Sequence, residues 1–342
     1  MASKLPSIRN KTKAKIKFKI NIVTPAPVGS LHGNRITAQR WDRFLKQLGY
    51  SSRISESWAQ GDTDLLIALH AYRSHDSILR FKKIYPHKPV ILMMTGTDLY
   101  RDIKQHPEVL LSMQLADKIV LLQSAAMEII PKALQQKVHV IYQSVKAIAR
   151  KPLLKRHFLV SVIGHLRPEK DPFCTARCLV ELPSESVIRV QHLGKAMSSD
   201  MRQMAIRYQA KLPRYEWLDE MSHAQALQKL ARSHLMVITS LMEGGAHVVS
   251  EAIAIGVPVI ASDIPGNRGL LGDFYSAYFR VGDEKALAAL LHRAETEPRF
   301  YQSLEKQIHA RQSLIKPAFE MRSIQSLVNS VLLGTGITHQ KV

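Results

Sequence analysis

Glu243-Gly244-Gly245-Ala246-His247-Val248-Val249-Ser250-Glu251 sets two carboxylates around a Gly-rich turn, with seven residues between them. The apolar run Leu235-Met236-Val237-Ile238-Thr239 precedes it and reads as a buried strand. Helix formers follow from Ala246 to Ile255, and Gly256 suits a left-handed helix end. The unpaired N–H groups at such a helix start carry the positive end of its dipole and suit an anion such as a diphosphate. Gly244 and Gly245 let the backbone approach that anion closely. Glu251, about one and a half turns into the helix, reaches sugar hydroxyls beyond the phosphates. The run Val257-Pro258-Val259-Ile260-Ala261-Ser262 reads as the next buried strand, and Pro265-Gly266 as a turn.

Four other segments carry chemistry. In Gly164-His165-Leu166-Arg167-Pro168-Glu169-Lys170, Arg167 can fork onto a diphosphate and Lys170 can add a point charge. Gly29, Ser30, His32, Gly33, Asn34 and Arg35 form a Gly-containing loop that opens a helix, either an anion-binding end or a plain turn and cap. It is not G-x-G-x-x-G and holds no Walker-A Lys, so dinucleotide and ATP fingerprints are absent. His70 closes an apolar strand, and Arg73 follows it. Thr95-Gly96-Thr97-Asp98-Leu99-Tyr100-Arg101-Asp102 brings hydroxyls, a carboxylate and Arg101 together; Thr97 and Asp98 also suit a helix cap. Asp62-Thr63-Asp64 has the D-x-D form of a metal site but precedes its strand, at the end away from these loops. No metal is therefore expected. A leaving diphosphate would take its charge from Arg167, Lys170 and the helix at Ala246.

These loops need strands to hold them. Strands are expected at Lys17 to Val23, Leu65–Leu69, Val90–Met94, Lys118–Leu122 and Val138–Tyr142, with helical patterns between them; one runs from an Asn34 cap to Leu48 and ends at Gly49. The pattern breaks over the basic stretch Ser144 to His157. It resumes with strands near Leu159–Ile163, Ile188–Leu193, Tyr215–Leu218, Leu235–Thr239 and Pro258–Ala261, and helices near Pro172–Leu182, Ser222–Ala231 and Asp283–Thr296. Alternation of this kind gives an α/β protein with two doubly wound parallel sheets. The expected division is a disordered basic tail at 1–16, a first domain at 17–145, a second at 158–316, and a final helical segment at 317–342.

A chain of 342 residues is long enough for two such domains. It has no run of eighteen apolar residues and no secretory h-region, so no transmembrane helix is expected and the expected location is cytoplasmic. Cys174 and Cys178 share a helix face and read as buried small hydrophobes in a reducing compartment. The net charge is +20. Residues 1–150 hold 24 basic and 10 acidic side chains, so the first half calls for an anionic partner. Zinc-finger spacings, RNP aromatics and a basic zipper are absent, which speaks against nucleic acid.

The whole stretch around Glu243 and Glu251 resembles the C-terminal half of GT-B glycosyltransferases, which pair two facing Rossmann-like domains across a cleft. The combination of Thr24-Pro25-Ala26-Pro27, His32-Gly33-Asn34-Arg35-Ile36-Thr37-Ala38, Ala68-Leu69-His70-Ala71, Thr95 to Asp102, Gly164 to Phe173 and Met242 to Ala246 is similar to the selenosugar synthases of selenoneine biosynthesis, over about residues 17–335. The resemblance implies transfer of N-acetylglucosamine from its UDP derivative to selenophosphate, forming a carbon–selenium bond and releasing UDP, without cofactor or metal. It implies catalytic roles for Arg167, Lys170, Glu243 and His70. Donor contacts would come from Gly164, Gly244, Gly245, Ala246, His247, Val248 and Glu251. Acceptor contacts would come from Gly29, Ser30, His32, Asn34, Arg35, Arg73, Thr97, Asp98 and Arg101. His247 stands where a smaller amide residue is expected. The final helix would pack back on the first domain. A selenophosphate-producing enzyme and a selenoneine-forming oxygenase are the implied pathway partners. The rival readings are a membrane-associated GT-B enzyme acting on a lipid or polysaccharide, which the placing of Trp41 at core spacing disfavours, and a nucleotide-sugar sensor without turnover.

Overall fold

The computed structural model describes residues 18–30, 32–146, 148–153 and 155–333. The basic tail at 1–16, the start of the first expected strand and the last part of the 317–342 segment lie outside the described residues. The first sheet takes β1 (Lys19–Val23), β2 (Ser51–Ser55), β3 (Leu65–Leu69), β4 (Val90–Met93), β5 (Lys118–Leu121) and β6 (Val138–Val140). The second takes β7 (Phe158–Ile163), β8 (Ile188–Leu193), β9 (Tyr215–Trp217), β10 (Leu235–Ile238), β11 (Val259–Ser262) and β12 (Tyr278–Phe279). Their orders are β2-β1-β3-β4-β5-β6 and β12-β11-β10-β7-β8-β9, with every pairing parallel. Parallel sheets need cover on both faces, and β3 and β10 are buried at every residue.

Helices supply the cover. In the first half these are α1 (Gly33–Gln47), α2 (His75–Ile84), α3 (Thr97–Tyr100) and α4 (Pro107–Leu115). The second half has α5 (Cys174–Cys178), α6 (Ser199–Lys211), α7 (His223–Ala231), α8 (His247–Ile255), α9 (Pro265–Leu271), α10 (Glu284–Thr296), α11 (Pro298–Arg311) and α12 (Pro317–Leu332). Every expected strand forms, shorter by one or two residues in several cases. β2 was not expected: its sequence Ser-Ser-Arg-Ile-Ser is polar, and as an edge strand it buries little. Neither were α6 and α11, whose exposed faces dilute the apolar period. Pro265-Gly266 opens α9 rather than making a turn, because Pro fits the first helical position. α1 begins at Gly33 with His32 as its N-cap, so Asn34 sits inside the first turn and caps nothing. Gly49 and Gly256 do end their helices, at φ of 93° and 83°, where a Cβ would be strained.

α12 crosses back to the first sheet. Its Ile324, Leu327, Val328, Val331 and Leu332 join Ile20, Trp41 and Leu45 in one core, each such side chain contributing about 2 kcal/mol by burial. At its first turn Glu320, buried, accepts from Arg40 Nε at 3.0 Å, from Trp41 Nε1 at 3.0 Å and from the Ser144 N–H at 2.8 Å. This carboxylate ties α1, α12 and the segment between the sheets together. Removing either charged partner would leave the other buried and unpaired.

Candidate active site

The C-terminal ends of the two sheets face each other, and glycines set how closely they meet. A Cβ on Gly244 would lie 2.1 Å from the Thr95 carbonyl, and one on Gly245 would lie 2.7 Å from the Leu122 Cβ. Thr95 and Leu122 follow the C-terminal ends of β4 and β5 of the first sheet, so these glycines admit the opposite domain rather than only an anion. On α9 a Gly269 Cβ would collide with the Gln123 side chain at 1.9 Å.

The second domain supplies a prearranged polar floor. Lys170 Nζ donates to Glu243, and Ser240 Oγ donates to the same carboxylate oxygen at 2.6 Å. Thr239 Oγ1, at the end of β10, donates to the Lys170 and Asp171 carbonyls at 2.8 and 2.9 Å, which fixes the loop after β7. Arg167 caps the short turn at Pro168–Lys170 and is exposed. Gly164 donates to the Leu193 carbonyl at 2.9 Å. Ala246 is the N-cap of α8, so the N–H groups of His247 and Val248 precede the first helical bond, which Val249 donates to Ala246. Glu251 is buried one turn further on and accepts from His223 Nε2 at 2.7 Å. His247 Nε2 lies 3.5 Å from the same oxygen, and its Nδ1 is buried without a partner among the described residues. Burial pushes the His247 imidazole down to about 4, against the opposing pull of Glu251.

The first domain presents a different surface. His70 sits at the end of β3 with φ of 74°, in the left-handed region that non-glycine residues seldom adopt. Its Nδ1 accepts from the Arg73 N–H at 3.3 Å, which leaves Nε2 protonated and donating to Thr97 Oγ1 at 2.9 Å. Asp102 Oδ2 stands 3.7 Å from Nε2. Burial lowers the His70 pKa, so the ring is a neutral donor at pH 7. Arg101 is half-exposed and donates from Nε to Asp102 at 2.9 Å. That hydrogen bond raises the Arg101 pKa, and Glu169 across the cleft adds to the rise. Arg73 is exposed.

Asp98 does something other than hold an acceptor. Its carboxylate has no exposure and accepts from the Ala71 N–H at 2.9 Å, the Thr95 N–H at 2.8 Å and Thr95 Oγ1 at 2.7 Å. It braces the β3 and β4 loops and has no exposure to the cleft. Arg35 shows the opposite condition. It is 7% exposed, and its Nε and Nη1 are buried with no hydrogen-bond partner among the described residues. Ser30 Oγ, in the loop before it, is buried and unpartnered in the same way. Gly29 holds φ of 80° in this loop, and His32 is exposed and close enough to His165 to help lower the pKa of that residue. Two residues to which the sequence reading gives no role stand beside Glu243 and Glu251. Tyr100, pushed up to about 12 by burial, accepts from Gln123 Nε2 at 2.9 Å and lies near Glu243. His223 belongs to no spaced motif, and its only signal is that it opens a helix after β9.

Asp62 and Asp64 lie before β3, at the opposite end of the sheet. Lys19 pairs with Asp62, its N–H donates to Asp64 at 2.9 Å, and Lys88 stands 3.6 Å from Asp64. Among the described residues no cluster of three or more His, Cys, Asp or Glu could hold a metal ion. Cys174 and Cys178 are buried free thiols, and burial raises both.

Residues 144–311 match the family model described as glycosyl transferases group 1. That match spans most of the second domain, and the two-sheet architecture is the GT-B fold. No curated protein matches the chain in sequence. Among solved structures, HepE from Anabaena in complex with UDP and glucose is similar, with TM-score 0.72 and 13% identity, covering 92% of this chain and all of HepE. Sucrose-phosphate synthase from Thermosynechococcus elongatus gives TM-score 0.74 at 13% identity over 93% of this chain and all of that one. A glycosyltransferase from Rickettsia africae gives 0.72 at 12% over 93% and 99%. At such identities the likeness is one of fold.

Proposed function

We propose that this chain is a glycosyltransferase that moves N-acetylglucosamine from UDP-N-acetylglucosamine to selenophosphate, forming a carbon–selenium bond and releasing UDP. The donor half of the reading is supported by the family match over residues 144–311 and by the α8 N-terminus beside Lys170. The acceptor half rests on one observation, the buried Arg35 guanidinium with two unpartnered nitrogens, on the helix that follows the loop holding the unpartnered Ser30 hydroxyl. A buried cation without a counter-ion is costly, and a small anion at this place satisfies it. A lipid or glycan hydroxyl carries no such charge. No described helix is long and apolar enough to cross a membrane.

In this mechanism selenophosphate needs little help from a general base, being a strong nucleophile already. The protein holds it by Arg35 and Ser30 and brings the selenium against the anomeric carbon. Glu243 and the neutral His70 contact sugar hydroxyls. Arg167, Lys170 and the first N–H groups of α8 stabilise the charge that develops on the departing diphosphate. No metal is required for that step. The test is UDP release from UDP-N-acetylglucosamine with and without selenophosphate, in the presence of EDTA. Strong stimulation by selenophosphate is the expected result. Equal release with and without it would remove selenophosphate as acceptor, and loss of activity on chelation would remove the metal-free mechanism.

A further inference from the structure

Glu251 is a donor contact in the reading above, placed to reach sugar hydroxyls beyond the phosphates, which at this depth are those of the nucleoside ribose, yet in the free protein it is already taken. Its side chain is 7% exposed and accepts from His223 Nε2 at 2.7 Å. A carboxylate buried that deeply needs a donor, and the adjacent His247 offers only a 3.5 Å contact. His223 comes from the first turn of α7, and 63% of its side chain is exposed, so the ring has solvent to turn into. Its removal would not unwind α7, because Ser222 and Gln225 cap that helix through a reciprocal pair of hydrogen bonds.

We propose that His223 is a displaceable occupant of the nucleoside subsite: it holds the Glu251 carboxylate in the free protein and yields it to the ribose hydroxyls of a nucleoside diphosphate. The inference rests on the donor reading given above. A ribose diol offers two O–H donors to one carboxylate, which replaces both the His223 bond and the long His247 contact. The exchange keeps Glu251 satisfied in both states, whereas an empty subsite without His223 would strand a buried charge.

The exchange also moves a proton. The hydrogen bond to Glu251 raises the pKa of His223 from its ordinary 6.5, against a smaller opposing effect of burial. Besides Glu251, the charged or titratable groups near this ring are His247 on α8 and, beyond it, Arg40 on α1. His247 stays neutral at pH 7, so His223 is the histidine that titrates here. When the nucleoside takes Glu251, His223 loses the partner that held its proton. Its pKa falls back, and a proton leaves. Nucleotide affinity therefore rises with pH, from about the ordinary His pKa up to the raised value in the free protein, by at most about tenfold per pH unit for one proton.

The experiment is calorimetric titration of the full chain with UDP, at pH 6 and pH 8, in two buffers of different ionisation enthalpy. Wild type is expected to release protons on binding, with affinity about three- to tenfold higher at pH 8 than at pH 6, beyond any change shared with His223→Ala. The variant is expected to bind UDP more tightly than wild type at pH 6 and to lose that share of the proton release. Titration of the phosphate itself is common to both proteins. UDP binding with the same pH slope and proton count in both would overturn the His223 proposal and leave the donor site standing. No binding of UDP by either protein would overturn the donor reading beneath it.

Discussion

The two walls of the cleft differ in one respect, the pairing of particular buried charges: Glu243 and Glu251 on one, Arg35 on the other. On the second-domain wall, carboxylates and cations are already paired: Lys170 and Ser240 hold Glu243, and His223 holds Glu251. On the first-domain wall, Arg35 and Ser30 are buried and unpaired among the described residues. The difference teaches which side awaits what. A wall with internal partners can stand empty and exchange those partners for a neutral, hydroxyl-rich ligand. A wall with an orphan cation is incomplete until an anion arrives. Asp98 marks the border of the second condition, since it lies in the first-domain wall but is held by the Ala71 and Thr95 N–H groups and the Thr95 hydroxyl.

The comparison breaks most visibly at Lys170. In the proposed mechanism Lys170→Ala removes charge stabilisation of the leaving diphosphate, and it is expected to lower kcat by about 100- to 1,000-fold in steady-state assays. Near-normal turnover would place the catalytic charge elsewhere. Arg35→Met separates the walls by sign. It is expected to raise the acceptor KM by about 30-fold while UDP affinity is unchanged. The same variant is expected to raise the Tm of the ligand-free protein by about 2–4 °C, because an unpaired buried charge is gone. Calorimetric melting checks this, and a lowered Tm would show that Arg35 has a partner in the free protein. Glu251→Ala is expected to weaken UDP binding by about tenfold in direct titration, leaving the acceptor KM alone. Asp98→Asn gives the smallest change in chemistry. It is expected to cost about 2–4 kcal/mol of stability with little effect on either KM, as a brace would. A large rise in acceptor KM at unchanged stability would return Asp98 to the binding surface.

Sequence and structure agree best where local chemistry and long-range position coincide. The stretch from Leu235 to Gly256 is legible because an apolar strand, a glycine turn and a helix with its own glycine end follow each other within one unit. The reason for its glycines was not legible. Gly244 and Gly245 face Thr95 and Leu122, more than a hundred residues away in sequence, and only the closed arrangement of the domains reveals that pressure. Asp98 read as an acceptor ligand because its neighbours are polar, yet its partners are the N–H groups of Ala71 and Thr95, which no spacing rule exposes. His223 left no motif because its partner sits 28 residues on, across a strand. β2 stayed hidden because an edge strand needs no apolar alternation.

The account is tested most directly by mass spectrometry of the products from UDP-N-acetylglucosamine, offered with selenophosphate, thiophosphate, phosphate or no acceptor. It predicts a selenosugar in amounts matching the UDP released, reduced sharply in Arg35→Met. UDP bound or hydrolysed with no selenium-containing sugar, and with Arg35→Met equal to wild type, would contradict the claim that the first-domain wall receives a small anion.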